Sequence, residues 1–364
     1  MSAKVNPIPA IAARFDEVIR SEAARRFGVD PEALLELEGT AFVYEGLRRD
    51  EKVILKITPG LREPGQVLGA SRAELEAEVD YIRYLGRAGV SVMSVLPSIS
   101  GADVEEIPLD AATSFFAYCF EKAPGMMFPD LDEVDFPDSV VREWGRLFGQ
   151  THSLAAGFRP RPGSYRLSWR EDDCLDSRAL VPADQELVHA RFTEALAWLE
   201  AMPQTSDVYG LVHGDLHHGN FLAEGDRLTL IDFDGARYSW FSGDIATALF
   251  NCLPMPRTKS AKRREFSLSF LSRLLRGYVS EFAAGPRLVS DLPGFLSLCE
   301  LTAYAYRYKN WGAEKIASRG AYLDSIRLRI EEGTPVVAFE PGDLESLDAI
   351  VQDSSRRADR IRRA

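Results

Sequence analysis

The chain has 364 residues, of which 46% are hydrophobic, and a formal net charge of −12. A single hydrophobic core rarely grows beyond roughly 250–300 residues, so this length predicts two lobes or domains. The negative net charge argues against a nucleic-acid partner, because phosphate backbones are bound by clustered Lys and Arg.

The four cysteines lack the paired spacing of a disulfide framework or a zinc knuckle. The first residues lack the apolar core of a signal peptide, and no apolar run approaches the roughly 18 residues that a membrane helix needs. We therefore expect a cytoplasmic protein, monomeric or homodimeric, that works without a membrane.

Helical spacing from Ile8 to about Phe27, with Gly28 as a stop signal, predicts a helical extension over residues 1–30. Strands are predicted next, at 42–45 and 53–57, with a charged turn between them. Alternation places Lys56 opposite the apolar face of the second strand. Lys56 is therefore either a functional cation or an edge-strand lysine that extends to solvent.

A capping box at Ser71–Glu74 predicts a helix that continues to Arg87. Glu78 falls within the apolar stripe of this helix. A buried carboxylate needs a nearby cation, and Lys56 is the natural candidate. The alternative is that Glu78 lies at the exposed margin of the stripe.

Further strands are predicted at 89–100 and 112–120, and Pro and Gly then force a turn at 121–125. Everything before this turn mixes strands and helices, whereas most of the chain after it has helical spacing. We therefore predict an N-terminal lobe over 31–120, a C-terminal lobe over 121–340 and a charged tail, either a frayed helix or a disordered end, over 341–364. The helices of the second lobe are predicted at 138–156, 183–201, 260–284, 294–311 and 319–332.

Polar residues are concentrated between Leu211 and Ala246. Two short strands, joined by a turn at Gly225–Asp226, are predicted to hold acids at their tips. The polar residues of this span are His213, Asp215, His217, His218, Asn220, Asp232, Asp234 and Asp244.

The first interpretation of this span is a metallohydrolase, because the run His213-x-Asp215-x-His217-His218 is dense in metal ligands. Such a site needs further histidines to complete its coordination. The remaining two, at 152 and 189, lie in predicted helices, where packing or surface positions explain them. The sequence therefore offers few further histidines that could complete such a metal site.

The second interpretation is phosphoryl transfer, which needs a base, metal ligands and a cation on the nucleotide phosphates. Protein kinases place the base and a metal-binding Asn in the spacing D-x-x-x-x-N, followed by an Asp on a later strand. Asp215, Asn220 and Asp232 keep this order and spacing. Lys56 and Glu78 supply the remaining parts, so the sequence favours this chemistry.

The motifs HGDLHHGN, IDFDG and GDIA resemble those of the aminoglycoside phosphotransferase and choline kinase-like family, which shares the protein-kinase fold. The resemblance implies an α+β fold of two lobes: an N-terminal antiparallel sheet with a helix, and a larger, mostly helical C-terminal lobe. It also implies ATP as donor, with GTP left open, Mg²⁺ as metal, and a small-molecule hydroxyl as acceptor.

The same resemblance implies roles for single residues. Asp215 is expected to be the base, and Asn220 and Asp232 the metal ligands. Lys56 is expected to contact the ATP phosphates and to pair with Glu78. Bracing of the catalytic loop is assigned to His213 and Asp244, and nucleotide contacts to Gly39, Phe120, Glu121 and Ala123.

One departure from the family concerns the loop over the phosphates, Leu37–Phe42, which keeps Gly39 as its single glycine. This departure leaves the choice between ATP and GTP open. It is also the argument for an alternative, a pseudokinase-like nucleotide-binding protein without turnover.

The acceptor pocket is predicted in the helical lobe. Tyr304, Tyr308 and Trp311 share one helix face, as an aromatic wall or as a core stripe. Candidate acceptors are an aminoglycoside-like antibiotic, an amino alcohol, a hydroxy amino acid or a sugar, phosphorylated by direct in-line transfer. The other candidate pocket residues are Asp234, which is also a candidate for a second metal, Tyr238, Trp240, Glu300 and Asp324.

Overall fold

The computed structural model describes residues 8–37, 42–61, 71–127, 136–253, 260–283 and 285–363. The chain divides into two compact units. Unit 1 comprises Met1–Met126, Phe158–Leu167 and Thr229–Asp234, and unit 2 comprises Met127–Gly157, Ser168–Leu228 and Gly235–Ala364. This division differs from the predicted one: the first 30 residues are part of unit 1, and so are two later segments.

Unit 1 is built on an antiparallel sheet with the strand order β1-β2-β3-β6-β4, in which β5 also pairs with β6. The strands are β1 Leu35–Glu36, β2 Phe42–Arg48, β3 Glu51–Leu61, β4 Val95–Leu96, β5 Glu105–Pro108 and β6 Thr113–Glu121. The helices are α1 Ile8–Ala12, α2 Glu17–Phe27 and α3 Arg72–Arg87.

The turn between β2 and β3 fixes the register of the central strands. Arg49 and Asp50 adopt φ values of 52° and 67°, and two such residues give a turn that matches the twist of a hairpin. In this register Lys56 lies opposite Val43 on one side and Tyr118 on the other. Because β3 is paired along both edges, the edge-strand interpretation of Lys56 is wrong.

The opposite face of β3 carries Val53, Leu55 and Ile57, and α2 packs with them into the core of unit 1. The predicted N-terminal helix is interrupted, since Asp16 caps a new helix by accepting a hydrogen bond from the Ile19 amide at 2.9 Å. Gly28 ends α2 in the left-handed conformation, as predicted. The first predicted helix is thus two helices.

The capping box of α3 is present, with both hydrogen bonds between Ser71 and Glu74 formed. Its apolar face is buried, and Glu78 lies on that face with 1% of its surface exposed. The alternative of Glu78 at an exposed margin is therefore wrong.

Unit 2 is mostly helical. Its helices are α4 Asp138–Ala155, α5 Ser177–Leu180, α6 Glu186–Ala201, α7 Phe241–Cys252, α8 Ser260–Tyr278, α9 Arg287–Ser290, α10 Leu292–Asn310, α11 Ala313–Ser318, α12 Gly320–Glu332 and α13 Pro341–Arg363. Strand β7 Tyr209–Val212 pairs with β10 Arg237–Trp240, and β8 Phe221–Glu224 pairs with β9 Arg227–Leu230. The division between the two units falls within β9.

Helices α4 and α8 approach each other at two glycines. A Cβ atom at Gly145 would lie 1.9 Å from the backbone oxygen of Leu274, and one at Gly277 would lie 1.9 Å from that of Arg142. A larger residue at either position is incompatible with this contact. The two glycines thus set the spacing of the helix pair beneath the candidate catalytic loop.

Several predicted elements need correction. The strand predicted over 89–100 is reduced to Val95–Leu96, and β5, β7 and β10 were not predicted. The tail, predicted as a frayed helix or a disordered end, is a helix, in which Leu347 and Val351 are buried. Asp343 near its start forms a two-bonded ion pair with Arg264. The alternative of a disordered end is therefore wrong for this helix.

Candidate active site

Lys56 of unit 1 faces two carboxylates. Its Nζ atom lies 2.8 Å from Asp232 Oδ1 and 2.5 Å from Asp234 Oδ1. Tyr118, its neighbour on β6, donates a 3.3 Å hydrogen bond to the same Asp234 oxygen. Burial opposes the charge on Lys56, but Asp234, Tyr118 and Asp232 outweigh it and hold the pKa of Lys56 well above its usual range. Lys56 therefore stays an ammonium group.

The predicted ion pair between Lys56 and Glu78 is not formed. Glu78 Oε2 lies 3.3 Å from Arg166 Nη1 instead, and both side chains of this pair are almost fully buried. Burial, reinforced by Asp234, raises the pKa of Glu78, while Arg166 and Lys56 oppose the rise. Lys56 thus acts on Glu78 through its field, and Arg166 supplies the direct contact.

Asp232 follows β9 with a φ of 61°, a backbone conformation that is uncommon for residues other than glycine. The preceding strand end is fixed in unit 1 by hydrogen bonds from the Leu230 amide to Ser91 and from the Met93 amide to Leu230. The short 3-10 helix Phe233–Gly235 then brings Asp234 back toward the same lysine. Strand end and helix together place two acids on one cation.

The predicted adenine-binding stretch lies at the end of β6. Phe120 is buried, and the Glu121 amide donates to the Ser94 carbonyl at 2.9 Å. The nucleotide contacts of Phe120, Glu121 and Ala123 remain predictions. Gly39, predicted to lie over the phosphates, is outside the described residues.

The candidate catalytic loop of unit 2, residues 213–220, follows β7. Asn220 Nδ2 donates to the Asp215 backbone oxygen at 2.7 Å and to its Oδ2 at 3.3 Å. The Asn220 amide donates to the His217 carbonyl, and His217 Nε2 lies 3.7 Å from Asp215 Oδ2. Half of the Asp215 side chain stays exposed. The loop therefore presents this carboxylate in a fixed position that solvent or a substrate reaches.

The side chain of Asp244, at the start of α7, holds the backbone of this loop. Its carboxylate accepts hydrogen bonds from the His213 amide at 3.2 Å and from the Gly214 amide at 2.9 Å. His152 Nε2 lies 3.1 Å from the same carboxylate, and His152 Nδ1 lies 2.9 Å from the hydroxyl of Tyr278. This is the geometry that the predicted bracing role of Asp244 requires.

A cavity of about 500 Å³ lies within unit 2 and includes Asp215 in its wall. Arg237, also in the wall, donates to the Gly235 carbonyl at 3.1 Å and forms an ion pair with Asp172. Burial opposes the charge of Arg237, but Asp172 outweighs it and raises the pKa of the guanidinium. The aromatic part of the wall comprises Trp169, Trp240, Phe250, Phe295 and Tyr306.

Most of the predicted acceptor residues on α10 lie elsewhere. Tyr304 is buried in a hydrophobic cluster, with Tyr308 and Trp311 packed against it, so the core-stripe interpretation is the correct one. Glu300 is buried in an ion pair with Arg329. The cavity is lined instead by the face of α10 that carries Leu298, Cys299, Thr302, Ala303 and Tyr306.

The other residues predicted for the acceptor pocket lie in different places. Trp240 lines the cavity, and its indole nitrogen donates to the Pro203 carbonyl at 2.7 Å. Tyr238 is not among the lining residues, and its backbone oxygen accepts from the Tyr209 hydroxyl. Asp324 pairs with Arg327 on the exposed surface of α12. Asp234 faces Lys56 in unit 1, as described above.

The donor set fits a hard divalent cation, which prefers carboxylate and amide oxygens. Asp232 and Asp234 already direct one oxygen each at a single cation, the Lys56 ammonium. The two carboxylates suit Mg²⁺. Within unit 2, Asn220 uses its amide nitrogen in its own loop, which leaves its carbonyl oxygen as an acceptor.

The metallohydrolase interpretation lacks this support. Among the described residues, the group of His, Cys, Asp and Glu whose ligand atoms lie within 4.8 Å of one another is Asp172–Cys174, which contains no histidine. His218 lies beside Cys252, with 3.9 Å between Nδ1 and Sγ. The histidines of the loop thus do not converge on one point.

Sequence reasoning missed three residues that the structure brings into these networks. Arg166 lies in an irregular segment with no periodic signal. His152 was assigned to packing or surface, although a histidine on the buried stripe of α4 needs a polar partner. Arg237 follows the acidic motif directly, and the acids around it were the signal that a cation was needed.

Three comparisons place the chain among known proteins. Residues 43–287 match the model of the phosphotransferase enzyme family, APH. The chain is 33% identical over 328 residues to the amicoumacin kinase of Bacillus subtilis (strain 168), covering 89% of this chain and 95% of that protein. These matches confirm the predicted family resemblance.

Among solved structures, the amicoumacin kinase hAmiN in complex with AMP-PNP, Ca²⁺ and Ami matches with a TM-score of 0.83 and 30% identity, covering 93% of this chain and 99% of that one. A microcompartment-associated aminopropanol kinase matches with a TM-score of 0.68 and 22% identity, over 87% and 97% of the two chains, which shows the fold alone. The predicted α+β fold class and small-molecule kinase class are confirmed. The expected nucleotide and divalent metal are confirmed at the level of the family, by the AMP-PNP and Ca²⁺ of hAmiN.

The expected localisation has one structural observation. Within the described ranges, every helix is too short or too polar to cross a membrane. The cytoplasmic location, the oligomeric state and the absence of a nucleic-acid partner stay predictions.

Proposed function

Because the chain belongs to the phosphotransferase enzyme family, we propose that it transfers the γ-phosphoryl group of ATP to a hydroxyl group of an amicoumacin-like small molecule. The observation that carries the proposal is the position of Asp215. Its carboxylate is held by Asn220, is half exposed, and lines a cavity of unit 2. A base fixed at a cavity wall is what a hydroxyl acceptor needs.

The donor side uses residues of unit 1. Lys56 carries a positive charge suited to the nucleotide phosphates, and Asp232 is the metal ligand, with Asp234 as the candidate second ligand. Within unit 2, Asn220 is the metal ligand that the family motif implies. Bound Mg²⁺ supplies the charge neutralisation that phosphoryl transfer depends on.

On the acceptor side, Asp215 orients the substrate hydroxyl and accepts its proton as the oxygen bonds to phosphorus. The transfer is direct, and ADP leaves without a phospho-enzyme. The two thiols in the cavity wall, Cys174 and Cys299, are unsuited to covalent catalysis, because burial raises the pKa of each to about 12.

The cavity supports an acceptor larger than an amino alcohol. Its volume of about 500 Å³ lies within the range of roughly 300–1,000 Å³ that holds drug-sized ligands. Aromatic side chains form much of the wall, which also includes the charged groups of Asp172, Asp215 and Arg237. Such a site suits a molecule with a ring system and a hydroxylated polar chain. The identity to the Bacillus subtilis amicoumacin kinase supports amicoumacin as the first acceptor to test.

The test is phosphorylation of amicoumacin by the wild type, by Asp215→Asn and by the matched control Asp226→Asn, whose carboxylate lies in the exposed turn between β8 and β9. Mass spectrometry detects the product, and ATP titration measures binding. We expect Asp215→Asn to lower kcat about 10²–10⁴-fold with ATP binding retained, and Asp226→Asn to behave as the wild type. Full turnover by Asp215→Asn would remove Asp215 from the role of base. Wild-type ATP binding without phosphorylated amicoumacin would contradict the acceptor.

A further inference from the structure

Arg166 joins α3 to the turn that carries the two acids of unit 1, here called the acid turn, Asp232–Asp234. Its Nη1 atom donates to Glu78 Oε2 at 3.3 Å and to the Glu74 carbonyl at 3.2 Å. Its Nη2 atom donates to the Asp234 carbonyl at 2.9 Å and to the Phe233 carbonyl at 3.4 Å. One nitrogen thus binds the helix and the other binds the acid turn.

The segment that presents Arg166 is itself fixed along α3. Arg161 forms an ion pair with Asp80 of that helix and with Asp103 at 2.9 Å. Phe158 packs edge-on against Tyr81, with 5.0 Å between the ring centroids. The guanidinium is therefore held in place before any ligand arrives.

The acid turn needs such support. Asp232 has a φ of 61°, and a residue with a side chain keeps that conformation when its surroundings impose it. Three backbone carbonyls and one carboxylate match the planar, five-donor fork of arginine, which a lysine does not reproduce. Buried Glu78 accepts the hydrogen bond of Nη1 and so satisfies one donor of the buried guanidinium.

We propose that Arg166 is a positioning residue for divalent-metal binding by Asp232, an inference that rests on the proposed kinase function. It acts through the backbone of the acid turn and touches neither nucleotide nor acceptor. By pairing with Glu78, it also leaves Lys56 to the two acids and the nucleotide phosphates.

The experiment measures nucleotide binding over a Mg²⁺ titration, by calorimetry, in Arg166→Lys and Arg166→Gln. Both variants should need at least about tenfold more Mg²⁺ for half-maximal ATP binding. ATP affinity in EDTA should stay within about twofold of the wild type. Arg87→Gln, which removes an exposed arginine at the end of α3, is the matched control and should leave both quantities unchanged.

A second variant covers the case in which the single variants fail to fold. Arg166→Leu combined with Glu78→Leu removes both partners, so that no unpaired charge stays buried. This double variant should fold, and it should still need at least about tenfold more Mg²⁺ than the wild type for half-maximal ATP binding. If a folded Arg166 variant bound ATP with the Mg²⁺ dependence of the wild type, the positioning role of Arg166 would be wrong, and the proposed kinase function would be unaffected. A wild type that binds ATP without any response to Mg²⁺ would overturn both the inference and the donor chemistry of the proposed function.

Discussion

The aspartates of the acid turn and Asp244 of unit 2 are held in opposite ways. In the acid turn, Asp232 and Asp234 keep about half of their side chains exposed and share one ammonium group. Asp244 of unit 2 is buried, and backbone amides and a histidine satisfy its carboxylate. An exposed carboxylate exchanges its partner for a metal ion at low cost, whereas a buried one cannot release its donors. The comparison separates acids suited to binding from an acid that stabilises a loop.

The difference predicts that stability and nucleotide binding depend on different aspartates. A buried donor left without an acceptor costs about 1–3 kcal/mol, whereas an exposed group regains water. Substitution of Asp244 should therefore act first on folding, and substitutions in the acid turn should act first on nucleotide binding.

The largest effect is expected for Asp244→Ala. The substitution leaves the buried amides of His213 and Gly214 without their acceptor, so the free energy of unfolding should fall by about 3 kcal/mol. Urea denaturation followed by tryptophan fluorescence measures it. Asp226→Ala, in the exposed β8–β9 turn, is the control and should cost less than about 1 kcal/mol. Equal losses in the two variants would contradict the distinction between the acids.

Lys56→Met tests the other side of the comparison. The partners Asp232 and Asp234 are hydrated once the ammonium is gone, so stability should change by less than about 1 kcal/mol. The Kd for Mg-ATP should rise at least tenfold, or about 1.4 kcal/mol, because the cation for the phosphates is lost. Lys52→Met, on the same strand but exposed, should leave the Kd unchanged. A stability loss with an unaltered Kd would make Lys56 a structural residue.

Lys56 and Glu78 were identified from the sequence because each interrupts a local apolar pattern, on a strand and on a helix. Their partners were not, because pairing is set by tertiary contacts. Lys56 meets acids about 176 residues later in the chain, and Glu78 meets an arginine 88 residues later. The sequence predicts that a buried charge needs a partner, but it does not name that partner.

Helix α10 shows the same limit for the acceptor cavity. Both of its faces carry aromatic residues, so periodicity predicts a helix without telling which face lines a cavity. Tyr304 packs into a core cluster, whereas Tyr306, two residues later, lines the cavity. The motif residues Asp215 and Asn220 lie close together, as their spacing within one short loop requires. Their roles as base and metal ligand stay predictions.

His152 should give unit 2 a distinct pH dependence. Burial lowers its pKa below the usual 6.5, although Asp244 opposes the shift and Tyr278 binds the other nitrogen. Below pH 6.5 the unfolded chain binds a proton that the folded chain does not. Stability should therefore fall as the pH drops from 6.5 toward the folded pKa, by up to about 1.4 kcal/mol per unit, and this contribution should be constant above 6.5.

His152→Gln removes this titration. Urea denaturation at pH 7.5 and 5.5 should give a smaller difference for the variant than for the wild type. His217→Gln, which replaces a partly exposed histidine of the catalytic loop, should keep the wild-type difference. The same pH dependence in His152→Gln and in the wild type would show that His152 is not the group that titrates.

The smallest effect concerns the backbone of the acid turn. Asp232→Gly and Asp232→Ala both remove the carboxylate, but only alanine keeps a side chain at a φ of 61°, so the glycine variant should be more stable by about 1 kcal/mol. Asp234 lies in a right-handed turn two residues later, and there the alanine variant should be the more stable by about 0.5–1 kcal/mol. Urea denaturation of the four variants measures both differences. If alanine were also the more stable at 232, the acid turn would not hold Asp232 in a strained conformation, and Arg166 would have no strain to support.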